Sequence, residues 1–424
     1  MIPARAPLKA LDVALVELLA QVSTLHGVEE VTTFEADGRV LAQNMLSSLH
    51  VPPQDNSAMD GYALRCEDVA NITGLAGTVL SVNQRIPAGS VGTALQAGTA
   101  ARIFTGASIP AGADAVVMQE ECEVLADKDG MGQIRVNAIP KSGQWIRKAG
   151  EDVAHGAIVL QKGERLRPAS LGLAASIGLA SLPVVRRPKV ALFSTGDELV
   201  MPGDIAPQDM PAGSIYNSNR FFLRALLQRL GCEVTDLGIV PDNLDATKAA
   251  LSSAAEGHDL ILTSGGVSVG EEDHIKPAVQ ALGELNLWQI AIKPGKPFAY
   301  GKVNNASGAA HFIGLPGNPV SSFVTFLLLV RPFLLKLQGV QDVDQITTKS
   351  IAVQADFTWA RADKRREFLR VKRNANGGLD LFPNQSSGVL TSAVWGDGLV
   401  NNPPGQTIAV GDMVQFVSFA ELLS

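Results

Sequence analysis

"LILTSGGVSVGEEDHIKPAV", residues 260–279, opens as an apolar, β-prone run, breaks at two glycines, presents three acids in succession and resumes as a helical pattern. Strand, glycine turn, helix is one unit of a parallel α/β sheet, and the flanking sequence repeats it. "KVALFS" leads to a helix at "SNRFFLRALLQRLG", "EVTDLGIV" to "LDATKAALSSAAEG", and "DLILTS" to "HIKPAVQALG". "LWQIAIK" and "HFIGL" follow, the second running into "SSFVTFLLLVRPFLLKL". Short strands that are apolar throughout belong to a sheet covered by helices on both faces.

Ligands of such sheets bind beyond the carboxyl ends of the strands. Asp197 and Glu198 follow the first strand, Asp242 the second, and Gly265, Gly266, Gly270 and Asp273 the third. Lys293 and Lys296 follow "IAIK", while Gly317, Asn318, Ser321 and Ser322 follow "FIGL". The pattern predicts five loops converging on one edge. Glycines let the backbone approach a ligand, and free N–H groups at helix starts attract anions. Carboxylates beside a bound phosphate repel it unless a hard cation lies between, and Mg²⁺ is the usual one. Each element alone has a plainer reading: a glycine pair is most often a tight turn, and a lone Asp a helix cap. Their convergence supports a site for a phosphorylated ligand and a metal. No GxGxxG or GxxxxGK[ST] accompanies the strands, so a dinucleotide or P-loop fold is not indicated.

The 424 residues exceed what one hydrophobic core supports, which predicts three or four domains. A net charge of −7 with scattered basic residues offers no stripe for nucleic acid, and aromatics make up only 5%, too few for a base-stacking surface. Three widely spaced cysteines form neither a disulfide framework nor a zinc motif, so a reducing cytoplasm is expected. Residues 168–185 and "FVTFLLLV" (323–330) are apolar, but the first is built of Ala, Ser and Gly and the second is short. Both read as buried helices, with no membrane role. "MIPARAPLKALDVALVELLA" reads as an amphipathic helix rather than a secretory signal.

Residues 1–50 read as one or two helices and a short strand, and 150–184 as a β segment followed by a helix; the two are expected to pair as an elongated N-terminal domain. Between them, 51–149 carry short β runs with Gly/Pro turns, an inserted β-rich domain. The α/β domain occupies 185–338. Residues 339–424 return to short strands with turns such as "NANGG" and "NNPPG", a small β-barrel or sandwich.

Seven segments in order along the chain resemble the MoeA family of molybdopterin molybdotransferases, related to the C-terminal part of gephyrin. They are "DNSAMDGYAL" (55–64), "RIFTGASIPAGADAVVMQEE" (102–121), "IRKAGEDV" (146–153), "STGDEL" (194–199), "TSGGVSVGEEDHIK" (263–276), "IKPGKPFAYG" (292–301) and "LPGNPVSSFVTF" (315–326). The glycine and PGNP patterns also occur in pterin adenylyltransferases, but "DNSAMDGYA" with "TGA-P-GADAVV" does not.

The resemblance implies a four-domain, L-shaped subunit with a C-terminal β-barrel and a molybdopterin-binding α/β domain. It also implies a homodimer, with the site between the α/β domain of one subunit and the β-rich domain of the other. The implied reaction takes adenylyl-molybdopterin and molybdate, inserts molybdenum and releases AMP with Mg²⁺. By motif position Asp60, Thr105, Arg147 and Asp152 are implied from the inserted domain, and Glu198, Asp242 and Asp273 as acids and metal ligands of the α/β domain. Gly265, Gly266, Ser268 and Gly270, with Pro316, Gly317, Asn318 and Pro319, fall in the implied pterin-binding turns. Lys293, Lys296 and Ser321 would serve oxyanions, with Arg366 and Ser387 from the C-terminal domain. Gln289 stands where some relatives carry lysine. Implied partners are a molybdopterin adenylyltransferase and recipient apo-molybdoenzymes. A molybdopterin adenylyltransferase or a non-catalytic pterin scaffold are the alternative functions.

Overall fold

The computed structural model describes residues 8–70, 77–129, 131–266, 274–306, 308–341, 343 and 350–423. At its centre a six-stranded sheet runs in the order Glu233–Val240, Lys189–Thr195, Leu260–Ser264, Gly308–Leu315, Pro297–Asn305, Gly283–Gln289. The first four strands are parallel to their neighbours, and the last two join antiparallel. Strand alternation sends Val190, Leu192, Leu260 and Leu262 to one face, against Leu223 and Leu227 of the helix Ser218–Arg229. Ala191, Phe193 and Ile261 face the other way, against Leu251 and Ala254 of the helix Leu244–Ala255 and Val279 of Ile275–Leu282.

Two readings change. "LWQIAIK" is not one strand of this sheet: Gly283–Gln289 forms its edge, the chain then turns, and Ile292–Lys293 pairs in parallel with Arg366–Arg373 of the C-terminal sheet. The strand Pro297–Asn305, starting in the "PGKP" turn, takes the place the pattern gave to "IAIK". The PGKP turn still opens on the same edge, because Pro297–Asn305 runs antiparallel and its Ala299 pairs with Gly314 near the carboxyl end of Gly308–Leu315; it enters a strand there instead of leaving one. The N-terminal helix Leu11–Ala20 also leaves the segment with which it was grouped. Its Leu11, Ala14, Leu15 and Leu18 are buried in the core of the central sheet, which also takes Phe419 and Leu422 of the helix Phe419–Leu423.

Among the described residues one helical stretch, Pro319–Leu337, is long and apolar enough to cross a membrane, and 89% of its apolar window is buried inside the protein. It is the central core helix. Its middle turn, Phe326–Val330, is π-helical and leads directly into Arg331 and Pro332.

Val28–Thr32 pairs with Ser181–Val185, and Met45–Leu46 with Ile158–Leu160, so residues on either side of the β-rich segment join each other. That segment forms its own six-stranded sheet from Ala115–Met118 at one edge to Cys122–Lys128 at the other. The C-terminal sheet packs Val353, Leu369, Val371, Val400 and Phe416 into a separate core, and a bridge from Ala355 to Leu379 joins its far strands into a small barrel. The three cysteines are free.

Candidate active site

The strand Lys189–Thr195 has its sequence successor Glu233–Val240 on one side and Leu260–Ser264 on the other. Strand order therefore reverses between Lys189–Thr195 and Leu260–Ser264, the position where open α/β sheets hold ligands. A cleft of about 740 Å³ opens there. Its base is made by Thr195, Gly196, Ser264, Gly265 and Gly266 at the carboxyl ends of the two strands. Gly265 and Gly266 have φ of +96° and +65°, and a Cβ on Gly266 would fall 2.5 Å from Ile275. A side chain there would be strained and would meet the helix below, so the turn requires glycine.

Two helix starts face the cleft. Asn217 caps Ser218–Arg229, its Oδ1 accepting from Arg220 N at 3.3 Å, while Asn219 Nδ2 donates to Ser264 Oγ and Gly317 O, both at 2.7 Å. Asn219 thus ties the "SGG" turn to the "PGNP" turn and fixes the cleft width. Asn217 is only 2% exposed, yet its Nδ2 has no partner among the protein atoms. A buried donor without an acceptor costs about 1–3 kcal/mol, which a water or a ligand group in the cleft would relieve. Pro316, Gly317, Asn318 and Pro319 lead into the second helix and complete the wall. The C-terminal domain reaches the rim: Ser387 O accepts from Val320 N at 2.9 Å, and Gly388 lines the cleft. Ser321 is buried at the start of the same helix.

Glu198 and Asp242 both line the cleft. Asp273, with Ser268 and Gly270, lies outside the described residues. Among the described residues no three His, Cys, Asp or Glu side chains gather closely enough to hold a metal by themselves. Two carboxylates in one cleft suit Mg²⁺, which takes one or two carboxylates and completes its shell with water and substrate phosphate.

The lysines separate. Lys293 Nζ lies 3.0 Å from Glu367 Oε1 and 3.3 Å from Asp363 Oδ2 of the C-terminal domain. Lys296 follows Gly295, which has φ +110° and would place a Cβ 2.4 Å from Thr325 Oγ1, and precedes Pro297 on the cleft wall. Arg366 donates to Asp12 Oδ1 at 2.9 Å and to Asn401 Oδ1 at 2.7 Å, an anchor between the N-terminal helix and the barrel.

A second polar corner lies in the inserted domain. Asp60 Oδ1 accepts from Thr105 N at 2.8 Å and Thr105 Oγ1 at 2.7 Å. These bonds, the backbone one first, hold its carboxyl below the usual carboxylate range, with Arg102 adding charge. Arg102 donates to Gly61 O and Gln119 Oε1, and it stacks with Arg85 on Phe104 at 4.7 and 4.6 Å. Arg147 pairs with Asn56 in a two-residue ladder, and Asp152 N donates to Val51 O; both side chains are exposed. None of the described residues of 51–152 lines the central cleft of the same chain.

Asn217 and Asn219 were not among the residues read from the sequence. Their signal was "YNSN" at 216–219, which reads as a helix cap and nothing more until the neighbouring turns are placed.

Family models match along the chain: the MoeA N-terminal region (domain I and II) over 9–178, a probable molybdopterin binding domain over 191–336, and the MoeA C-terminal region (domain IV) over 352–419. A molybdopterin molybdenumtransferase of Haemophilus influenzae is 45% identical over 330 residues, 78% of each chain. That of Synechococcus elongatus is 35% identical over 94% of this chain and 96% of its own. The crystal structure of a molybdopterin biosynthesis MoeA protein from Pyrococcus horikoshii OT3 superposes with a TM-score of 0.83 at 29% identity, covering 97% of this chain and 100% of that one.

Proposed function

This chain belongs to the MoeA family of molybdopterin molybdenumtransferases, and from that premise we propose how its residues carry out the transfer. The substrate is adenylyl-molybdopterin, bound in the switch-point cleft, and molybdate is the second substrate. The observation that carries this reading is the unpartnered amide of Asn217, buried in the cleft that Gly265, Gly266, the PGNP turn, Glu198 and Asp242 also line. Donor-rich turns suit phosphate and pterin groups, and the facing acids suit a divalent ion.

An oxygen of molybdate, or of water, attacks the adenylyl phosphorus. The anhydride P–O bond breaks and leaves the other phosphate on the pterin; where molybdate attacks, its Mo–O bond to the incoming oxygen breaks as the dithiolene sulfurs take the molybdenum, and AMP leaves carrying that oxygen. Asn217 Nδ2 and the N–H groups of the two glycine turns hold the phosphates, Lys296 draws in the oxyanion, and Asn219 keeps the two walls at fixed distance. Such fixed donors favour the charge that builds during transfer. Glu198 and Asp242, with Asp273, would hold Mg²⁺, which when bound neutralises charge on the phosphate oxygens.

The Asp60–Thr105 corner serves the same reaction from the partner subunit of a homodimer. Its polarity and its separation from the cleft of its own chain support that arrangement. A cytoplasmic setting accords with three free cysteines, and delivery from an adenylyltransferase and transfer to apo-molybdoenzymes follow from the proposed reaction.

The test is AMP release from adenylyl-molybdopterin at substoichiometric protein, with and without molybdate. Release that depends on molybdate and Mg²⁺, and falls at least about a hundredfold in Asp242→Asn, supports the reading. Pyrophosphate and adenylyl-molybdopterin formed from ATP and molybdopterin without molybdate would instead identify an adenylyltransferase.

A further inference from the structure

A second cleft, of about 720 Å³, lies among the strand Ile158–Leu160 with the loop that follows it to 167, the helix Arg331–Leu337 and the chain near Glu421. Arg331 lines it and is 2% exposed. Its one hydrogen bond runs from Nη2 to the carbonyl of Glu421 at 3.2 Å, while Nε and Nη1 have no partner. A guanidinium carries five N–H donors on three nitrogens and stays charged, so burying two of those nitrogens unpaired is costly. Burial pushes Arg331 down to about 10, and the neighbouring charge of Arg165 adds to the strain. A buried cation with open donors and a second cation near it calls for an anion.

The walls supply more of the same charge. Lys162, Arg165 and Arg167 line the cleft with Arg331, against Asp37, Glu164 and Glu421. Of these acids Glu164 is already engaged, accepting from Ser170 Oγ at 2.9 Å and Gln161 N at 3.3 Å. Arg165 is held in place by donating to Gly38 O and Arg229 O at 3.3 and 3.1 Å. Leu335 and Val340 give the cleft an apolar side.

We propose that this cleft is a second oxyanion site, taking a phosphate or sulfate group on Arg331, Arg165, Arg167 and Lys162, apart from the substrate cleft. An anion entering it would draw the Arg331 guanidinium off its long bond to Glu421 and expose the two idle donors. Occupancy would thus link the 158–167 segment, the core helix and the Phe419–Leu423 helix. The space exceeds a bare ion, and its apolar side would accommodate the organic part of a phosphomonoester.

The test uses the full chain, titrated with inorganic phosphate, sulfate or phenyl phosphate against sodium chloride at constant ionic strength, read by thermal shift and calorimetry. The expected result is a saturable rise in melting temperature whose dissociation constant increases at least about tenfold in Arg331→Met and in Arg167→Gln. Asn217→Asp, in the substrate cleft, should leave that constant unchanged. Tighter binding of phenyl phosphate assigns the site to the phosphate end of a larger molecule, and equal binding to a free ion; either supports it. If Arg331→Met fails to fold, Arg167→Gln and an anomalous selenate peak within hydrogen-bond distance of Arg331 decide. No saturable effect in the parent protein, or one abolished by Asn217→Asp and untouched by Arg167→Gln, overturns the proposal.

Discussion

Lys293 Nζ sits 3.0 Å from Oε1 of Glu367, a carboxylate whose side chain is 1% exposed and also accepts from Trp359 Nε1 at 2.8 Å. The pair ties the turn after the central sheet to the barrel, and it commits one of the two lysines of "IKPGKP" to structure. Glu367→Ala would leave the indole N–H without its acceptor and the ammonium with Asp363 alone, and should cost on the order of 3 kcal/mol, read as a lowered denaturation midpoint. Lys293→Met should act mainly on stability. Lys296→Met, by contrast, should raise KM for the anionic substrates about tenfold at unchanged melting temperature if it meets the oxyanion as proposed.

Thr105 favours the ionised form of Asp60. Because the folded-state carboxyl titrates below its ordinary value of 3.8, its bonds to Thr105 contribute above that pH and are lost as pH falls through the lowered value. Thr105→Val removes the hydroxyl donor and leaves the backbone N–H. The acid limb of the pH–rate profile for AMP release should therefore move upward, by less than in a variant that disrupts the whole turn. An unmoved acid limb would remove Asp60 from the reaction.

Asn217 separates capping from binding. Aspartate at this position still caps the helix but replaces the idle donor with a negative charge, so Asn217→Asp should raise KM at least about tenfold with little change in melting temperature. Asn217→Ala should lose both functions, with about 1 kcal/mol of stability gone. Equal KM in all three proteins would show that the amide does not meet substrate.

His311 lies in the strand Gly308–Leu315, its Nδ1 2.9 Å from the Tyr300 hydroxyl. Burial, with Lys302 adding to it, pushes the imidazole down from 6.5 to about 4. The neutral ring is therefore the folded form. Its contribution is complete above pH 6.5 and is lost as pH falls from there to about 4, roughly 3 kcal/mol across that window. Denaturant midpoints measured from pH 7 to pH 4 should fall more steeply in the parent protein than in His311→Phe.

The repeating strand–turn–helix pattern made the central sheet legible, because strands such as Lys189–Thr195 are apolar on both faces and end at glycines. The same pattern misplaced Ile292–Lys293. A two-residue strand carries no periodicity, and nothing local distinguishes pairing with Arg366–Arg373 from pairing in the nearer sheet. The helix Leu11–Ala20 was readable as amphipathic, but the surface it covers lies far along the chain. Glu198 and Asp242 could be anticipated from strand ends. Asn217 could not, because an unpartnered amide is defined by what fails to surround it in three dimensions.

The central core is sealed by helices from opposite ends of this chain, Leu11–Ala20 and Phe419–Leu423. During synthesis the α/β layer must wait with an apolar flank uncovered until its last covering helix emerges from the ribosome. A fragment of residues 185–338, though it carries most of the substrate cleft, should accordingly bind hydrophobic dyes and aggregate, and supplying the missing helices as peptides should suppress both.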